Sequence, residues 1–121
     1  MDLELIDGWL QSVAVGGELD AYTAPRLLEA VAGALDAGHE WLLVDLSDVQ
    51  YIDSVGLGIL IGGAKRAAER NGDLSVACSR PNVRRVFDVS GTAELLNVVD
   101  TVDEAVAILS KARAAQGGRE Q

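Results

Sequence analysis

Trp41-Leu42-Leu43-Val44-Asp45-Leu46, a polar passage from Ser47 to Asp53, and then Ser54-Val55-Gly56-Leu57-Gly58 form the stretch that decides the fold. The first six residues are continuously apolar apart from Asp45, and the run is strand length. A run without alternation reads as a central strand covered on both faces. Ser47 to Asp53 reads as a polar loop. From Ser54 onward the period changes. Leu57, Leu60, Ile61, Ala64 and Ala68 fall at i, i+3, i+4, i+7 and i+11, the spacing of one helix face, and Asn71-Gly72 supplies the stop. A buried strand thus hands the chain to a helix through a short polar junction.

Upstream, Leu3–Ile6 and Trp9–Val15 are β-type runs separated by Asp7-Gly8, a strong signal for a tight hairpin. In the second run the alternation predicts one buried face, and Gly16 to Asp20 closes the strand. Thr23-Ala24-Pro25 opens a helix, with a hydroxyl at the N-cap and proline where its missing N–H is harmless. Its stripe is Leu27, Leu28, Val31, Ala34 and Leu35, and Gly38 ends it. Downstream, Leu74–Ala77 reads as a strand and Pro81–Val89 as a short helix with Val83, Val86 and Phe87 inward. Leu95–Val99 is ambiguous between helix turn and strand. Thr101 caps a last helix on which Val102, Ala105, Val106, Leu109 and Ala112 share a face. The order β-β-α-β-α-β-α-β-α predicts an α/β fold, one mixed sheet with packed helices. A single domain is expected over residues 1–113, with 114–121 an aperiodic, frayed tail.

Bulk properties narrow the function. Nineteen acids against ten bases give a net charge of -9, which repels nucleic-acid phosphates and anionic lipid and disfavours direct contact with either. One cysteine (Cys78) and one histidine (His39) allow neither a disulfide nor a cysteine- or histidine-rich metal site. The N-terminus does not read as a signal peptide. The longest uncharged run, Ser54 to Ala64, falls short of the ~20 residues of a membrane span, so a cytoplasmic location is expected. There is no Gly-Lys-Ser/Thr phosphate loop and no nucleophile–histidine pair, so an enzyme is not expected and no cofactor is implied.

The junction Asp53 to Gly58 is where function concentrates. The first turn of a helix presents unpaired N–H groups and partial positive charge, so a serine there is exposed and a phosphate on it is tolerated. The commonest reason for Asp or Ser at such a place is simply an N-cap. The glycines argue for more. Gly56, Gly58, Gly62 and Gly63 lie inside a helical pattern, each costing ~0.5–1 kcal/mol relative to alanine. Close helix–sheet contact accounts for Gly62 and Gly63. Gly56 and Gly58 read instead as a surface cleared for another protein's backbone. Asp20, Glu18, Asp45, Asp48 and Asp53 form either solvated loop acids or an acidic rim for partner recognition.

Gly17-Glu18-Leu19-Asp20, Thr23-Ala24-Pro25, Val44-Asp45-Leu46-Ser47 and Ile52-Asp53-Ser54-Val55-Gly56-Leu57-Gly58 together resemble the STAS domains of anti-sigma factor antagonists. The resemblance continues through Lys65-Arg66, Val83–Gly91 and Glu104-Ala105, covering roughly residues 3–110. It implies a partner switch without chemistry of its own. Ser54 would be phosphorylated by an anti-sigma factor that is itself a serine kinase. The unmodified form would bind that kinase and free the sigma factor, and a phosphatase would restore it. The implied partner surface is Asp20, Thr23, Asp53, Ser54, Val55, Gly56, Leu57 and Gly58. Many members carry Asp-Ser-Ser-Gly, whereas Val55 here leaves Ser54 the single hydroxyl at the tip. A monomer or weak dimer is expected. The alternative is a STAS scaffold or transport-complex subunit without a phosphoswitch.

Overall fold

The computed structural model describes residues 1–119, with side chains as far as Gln116. Asp7 and Gly8 both take left-handed backbone angles, φ 53° and 78°, which close a tight connection between β1 (Asp2–Ile6) and β2 (Leu10–Leu19). The chain continues through α1 (Ala24–Asp36), β3 (Trp41–Ile52), α2 (Ser54–Glu69), β4 (Asp73–Ala77), α3 (Pro81–Ser90), β5 (Val98–Val99) and α4 (Val102–Arg119). The strands form one sheet in sequence order. β1 is antiparallel to β2, and β2, β3, β4 and β5 run parallel. The expected mixed α/β sheet is therefore present, with the ambiguous Leu95–Val99 segment supplying turns and the short edge strand β5.

Both faces of the sheet are covered. Leu42, Val44 and Leu46 of β3 pack with Leu27 and Val31 of α1, Leu60 and Ala64 of α2, and Val83 and Phe87 of α3. Trp41 and Leu43 point the other way and meet Leu10, Ala105 and Leu109 under α4. Because α4 lies on this second face, β2 is buried on both sides, with Leu10 and Val13 each fully buried. The single buried face expected for that run is thus corrected. Alternation alone does not say that a helix from the far end of the chain returns to cover the strand.

Three boundaries move. The passage after Leu46 is strand, not loop. Val49 and Ile52 remain buried, and two register shifts against β2 absorb the extra residues of β3, so the ladder continues from Gly16↔Asp48 to Leu19↔Ile52. Polar side chains between those anchors simply face outward. Likewise β2 runs through Gly16 and Gly17 to Leu19. Third, α4 continues to Arg119, so the expected tail from Ala114 is helical up to there, and positions 120 and 121 lie outside the described residues. Ala112, Ala114, Ala115 and Gln116 favour helix, and Arg113 lies over the Trp9 ring, which anchors that stretch despite its lack of an apolar stripe.

The glycines of α2 and its exit divide by packing. A β-carbon on Gly63 would stand 3.0 Å from Val31 Cγ1, whereas at Gly62 it would meet nothing. Close contact therefore accounts for Gly63 alone of the pair. At Gly72 the crowding is severe, since an added β-carbon would lie 1.9 Å from the Glu40 carbonyl oxygen, where Asp73 N–H donates to that same oxygen at 3.1 Å. Gly72→Ala is expected to lower unfolding stability by about 3 kcal/mol through backbone displacement. Gly62→Ala should be neutral or stabilising by up to ~1 kcal/mol. Urea denaturation of the two variants tests the contrast.

Candidate functional site

The parallel strands β2 and β3 end side by side, Leu19 opposite Ile52, so that Asp20 and Asp53 leave the sheet together. Asp53 N–H donates to the Leu19 carbonyl at 3.1 Å, which extends the ladder by one bond and aims the chain into α2. Asp53 is the N-cap. Its backbone is extended, and its Oδ1 accepts from Val55 N–H at 3.0 Å and Gly56 N–H at 3.1 Å. Ser54 follows as the first helical residue. It is exposed, and its side chain makes no hydrogen bond among the described residues. The capping role belongs to Asp53, which leaves the Ser54 hydroxyl unemployed by the fold.

The neighbouring turn is locked by its own polar groups. Asp20 Oδ1 accepts from Tyr22 N–H at 2.9 Å and Thr23 N–H at 3.1 Å. Thr23 stands at the N-cap position of α1, but its hydroxyl turns back rather than capping: it donates to the Glu18 carbonyl at 2.6 Å and accepts from Asp20 N–H at 3.0 Å. The expected hydroxyl cap is corrected accordingly. The reason is geometric: the hydroxyl is already engaged by the Glu18 carbonyl of β2 and by the N–H of Asp20, just past that strand. The Thr23 backbone N–H, and then that of Tyr22, hold the Asp20 carboxyl below its ordinary value of 3.8.

The residues expected at a partner surface do not all reach one. Ser54, Val55 and Gly58 are exposed, and Val55 is 44% accessible. Gly56 is buried: a β-carbon there would stand 2.8 Å from Leu19 Cγ and 3.1 Å from the Leu19 carbonyl oxygen. Its glycine serves packing against β2, which corrects the reading of Gly56 as cleared surface. Leu57 packs against the main core, while at Gly58 an added β-carbon would meet open space. Two tyrosines that periodicity does not single out stand at this same end, Tyr22 at 92% and Tyr51 at 51% exposure. The only signal for Tyr51 lay in a passage whose polarity reads as loop. Asn82, early in α3, donates to the Gln50 carbonyl at 2.7 Å and ties that helix to the same rim.

Of the acids, Asp45 is occupied locally, accepting from Ser47 N–H at 2.9 Å and Ser47 Oγ at 2.5 Å. Among the described residues no group of three His, Cys, Asp or Glu side chains is arranged to hold a metal ion. None of the helices there is long and apolar enough to cross a membrane. Cys78 is fully buried at the end of β4, and burial raises its thiol pKa, so it is a poor nucleophile.

This architecture has relatives. The STAS domain family model matches residues 4–105. The chain belongs to the STAS family. An anti-sigma-B factor antagonist of Staphylococcus epidermidis is 36% identical over 86 residues, spanning 71% of this chain and 80% of that protein. The crystal structure of an anti-sigma factor antagonist from Mycobacterium paratuberculosis superposes with a TM-score of 0.78 at 31% identity, over 89% of this chain and 91% of that one. The antagonist SpoIIAA in its unphosphorylated form shares the fold, with a TM-score of 0.77 at 22% identity over 91% of this chain and 96% of that one.

Two expectations follow for this STAS domain. Gly56→Ala should destabilise by about 1–3 kcal/mol through overpacking against Leu19, whereas Gly58→Ala should leave the melting temperature unchanged or slightly raised. Thermal unfolding of both variants separates packing from surface. Asp20 should titrate below 3.8 by carboxyl NMR. Because its folded pKa lies under its unfolded one, its contribution to stability is full above the ordinary carboxylate range and is lost as pH falls through the folded value. Asp20→Asn should flatten that part of the acid-unfolding profile.

Proposed function

We propose that this STAS chain is an anti-sigma factor antagonist switched by phosphorylation of Ser54. The unmodified protein binds an anti-sigma factor that is a serine kinase and releases the sigma factor. Phosphate on Ser54 blocks that binding, and a serine phosphatase reverses it. The role is one of binding, with no catalysis by the chain itself, and its setting is the cytoplasm. The observation that carries the reading is the division of labour at the start of α2: Asp53 caps the helix, so the Ser54 hydroxyl is exposed and free to be modified. The kinship with antagonists supports the class of partner.

In this reading Ser54, Val55 and Gly58 meet the partner directly. Leu57 and Gly56 fix the helix behind them, and Asp20, Thr23 and Asp53 hold the rim. The switch follows from magnitudes. A phosphoryl group adds ~-1.5 to -2 charge. The helix start stabilises an anion by ~0.3–1 kcal/mol, and the Asp53 carboxylate beside it opposes part of that. Neither is large enough to rearrange a sheet held by buried leucines. Docking is different, because a charge desolvated against a surface shaped for a neutral hydroxyl costs several kcal/mol. About 4 kcal/mol already lowers affinity roughly a thousandfold. The block is therefore local.

Incubation with the cognate kinase and ATP should add one phosphate, mapped to Ser54 by mass spectrometry, and Ser54→Ala should take up none. The phosphorylated protein should bind the kinase at least about a hundredfold more weakly, with backbone NMR shifts confined to residues near Ser54. Full modification of Ser54→Ala, or shifts spread through the sheet and α4, would overturn the proposal.

A further inference from the structure

The opposite end of the sheet carries a second feature, which owes nothing to the tip. The chain has two tryptophans, and both line one cavity of about 560 Å³ where β2 and β3 begin. Trp9 and Trp41 meet edge to face, with centroids 6.2 Å apart and an interplanar angle of 79°. The end of α2 contributes Arg70 to the wall, and α4 contributes Ser110 and Arg113. The volume lies within the ~300–1,000 Å³ of small-molecule sites, and the lining is mostly polar, with Asn71 and Gln116 beside the charged groups.

The charge of this cavity runs against that of the protein. Among the described residues its ionic lining is two arginines against one carboxylate, Glu40, in a chain whose net charge is -9. Both guanidiniums are positioned. Arg113 is held over the Trp9 ring, its Cζ 4.6 Å from the centroid. Arg70 donates through one Nη to the Leu35 carbonyl, which fixes its direction, and its other donors make no further hydrogen bond among the described residues. Planar guanidiniums bind carboxylates through paired N–H donors and stack on aromatic rings.

We propose that this cavity binds a small planar aromatic anion, its ring against the Arg113 guanidinium and the part of Trp9 left exposed beside it, and its acid group on the N–H donors of Arg70 and Arg113. The site lies at the strand ends remote from Ser54, so its occupation is independent of the switch. Naphthoate serves as the probe for the full chain. The only two indole N–H cross-peaks of a proton–nitrogen NMR spectrum both report on this cavity. Both should move saturably with naphthoate while the Gly58 amide stays in place. Naphthylmethanol, with the same rings and no charge, should bind about tenfold or more weakly, as should naphthoate to Arg113→Gln. The neutral probe needs no variant, so the comparison survives if Arg113→Gln fails to fold. Stationary indole peaks at millimolar naphthoate, equal binding of the uncharged probe, or shifts that appear at the Ser54 end instead would each overturn the proposal.

Discussion

Leu19 is the residue on which the working end of the molecule depends. Its side chain is fully buried and occupies the space that a β-carbon on Gly56 would need, while its carbonyl accepts the Asp53 N–H. One residue therefore fixes both the height at which β3 ends and the distance at which α2 begins. Asp53 can then reach the first turn of the helix with its carboxylate, and Ser54 emerges one position later, outside the packing. An N-cap aspartate contributes ~1 kcal/mol to a helix, which offsets part of the cost of several glycines in α2. The glycine at Gly56 and the cap at Asp53 are two answers to the same tight fit.

That fit gives the tip a rigid base and a bare surface. The Asp20–Thr23 turn spends its polar groups on itself, and Asn82 spends its amide on β3. What remains exposed is a small set of groups with no structural duty among the described residues: the Ser54 hydroxyl, the Val55 side chain, the open face of Gly58 and the two exposed tyrosines. The buried leucines beneath belong to one core cluster, and a closely packed core does not deform by degrees.

The far end is built differently. There α4 closes the second face of the sheet, and the Trp9, Trp41 and Arg113 cluster joins the hairpin, the start of β3 and the last helix. Aromatic and cationic groups meet there in a chain whose net charge is -9. The tip presents small exposed groups, whereas this end carries an open cavity walled by larger polar and aromatic side chains.

Much was legible in the residues alone. The apolar run of β3, the helical spacing from Leu57 to Ala68, the Asp7-Gly8 turn and the Asp53-Ser54 junction each rest on local patterns of period and cap, and local physics sets them. The element order and the mixed sheet followed from these. Contacts between distant segments decided the remainder. The extension of β3 past Leu46 requires β2 as its partner. The burial of β2 on both faces requires α4, and the helical course beyond Ala114 is anchored by Trp9 through Arg113. The turn of the Thr23 hydroxyl toward Glu18, and the difference between Gly56 and Gly58, depend on which atoms of β2 lie within a few ångströms. Sequence periodicity records which face of an element is apolar. Only the assembled sheet determines what that face meets, and whether a glycine is there for a neighbour's leucine or for open solvent.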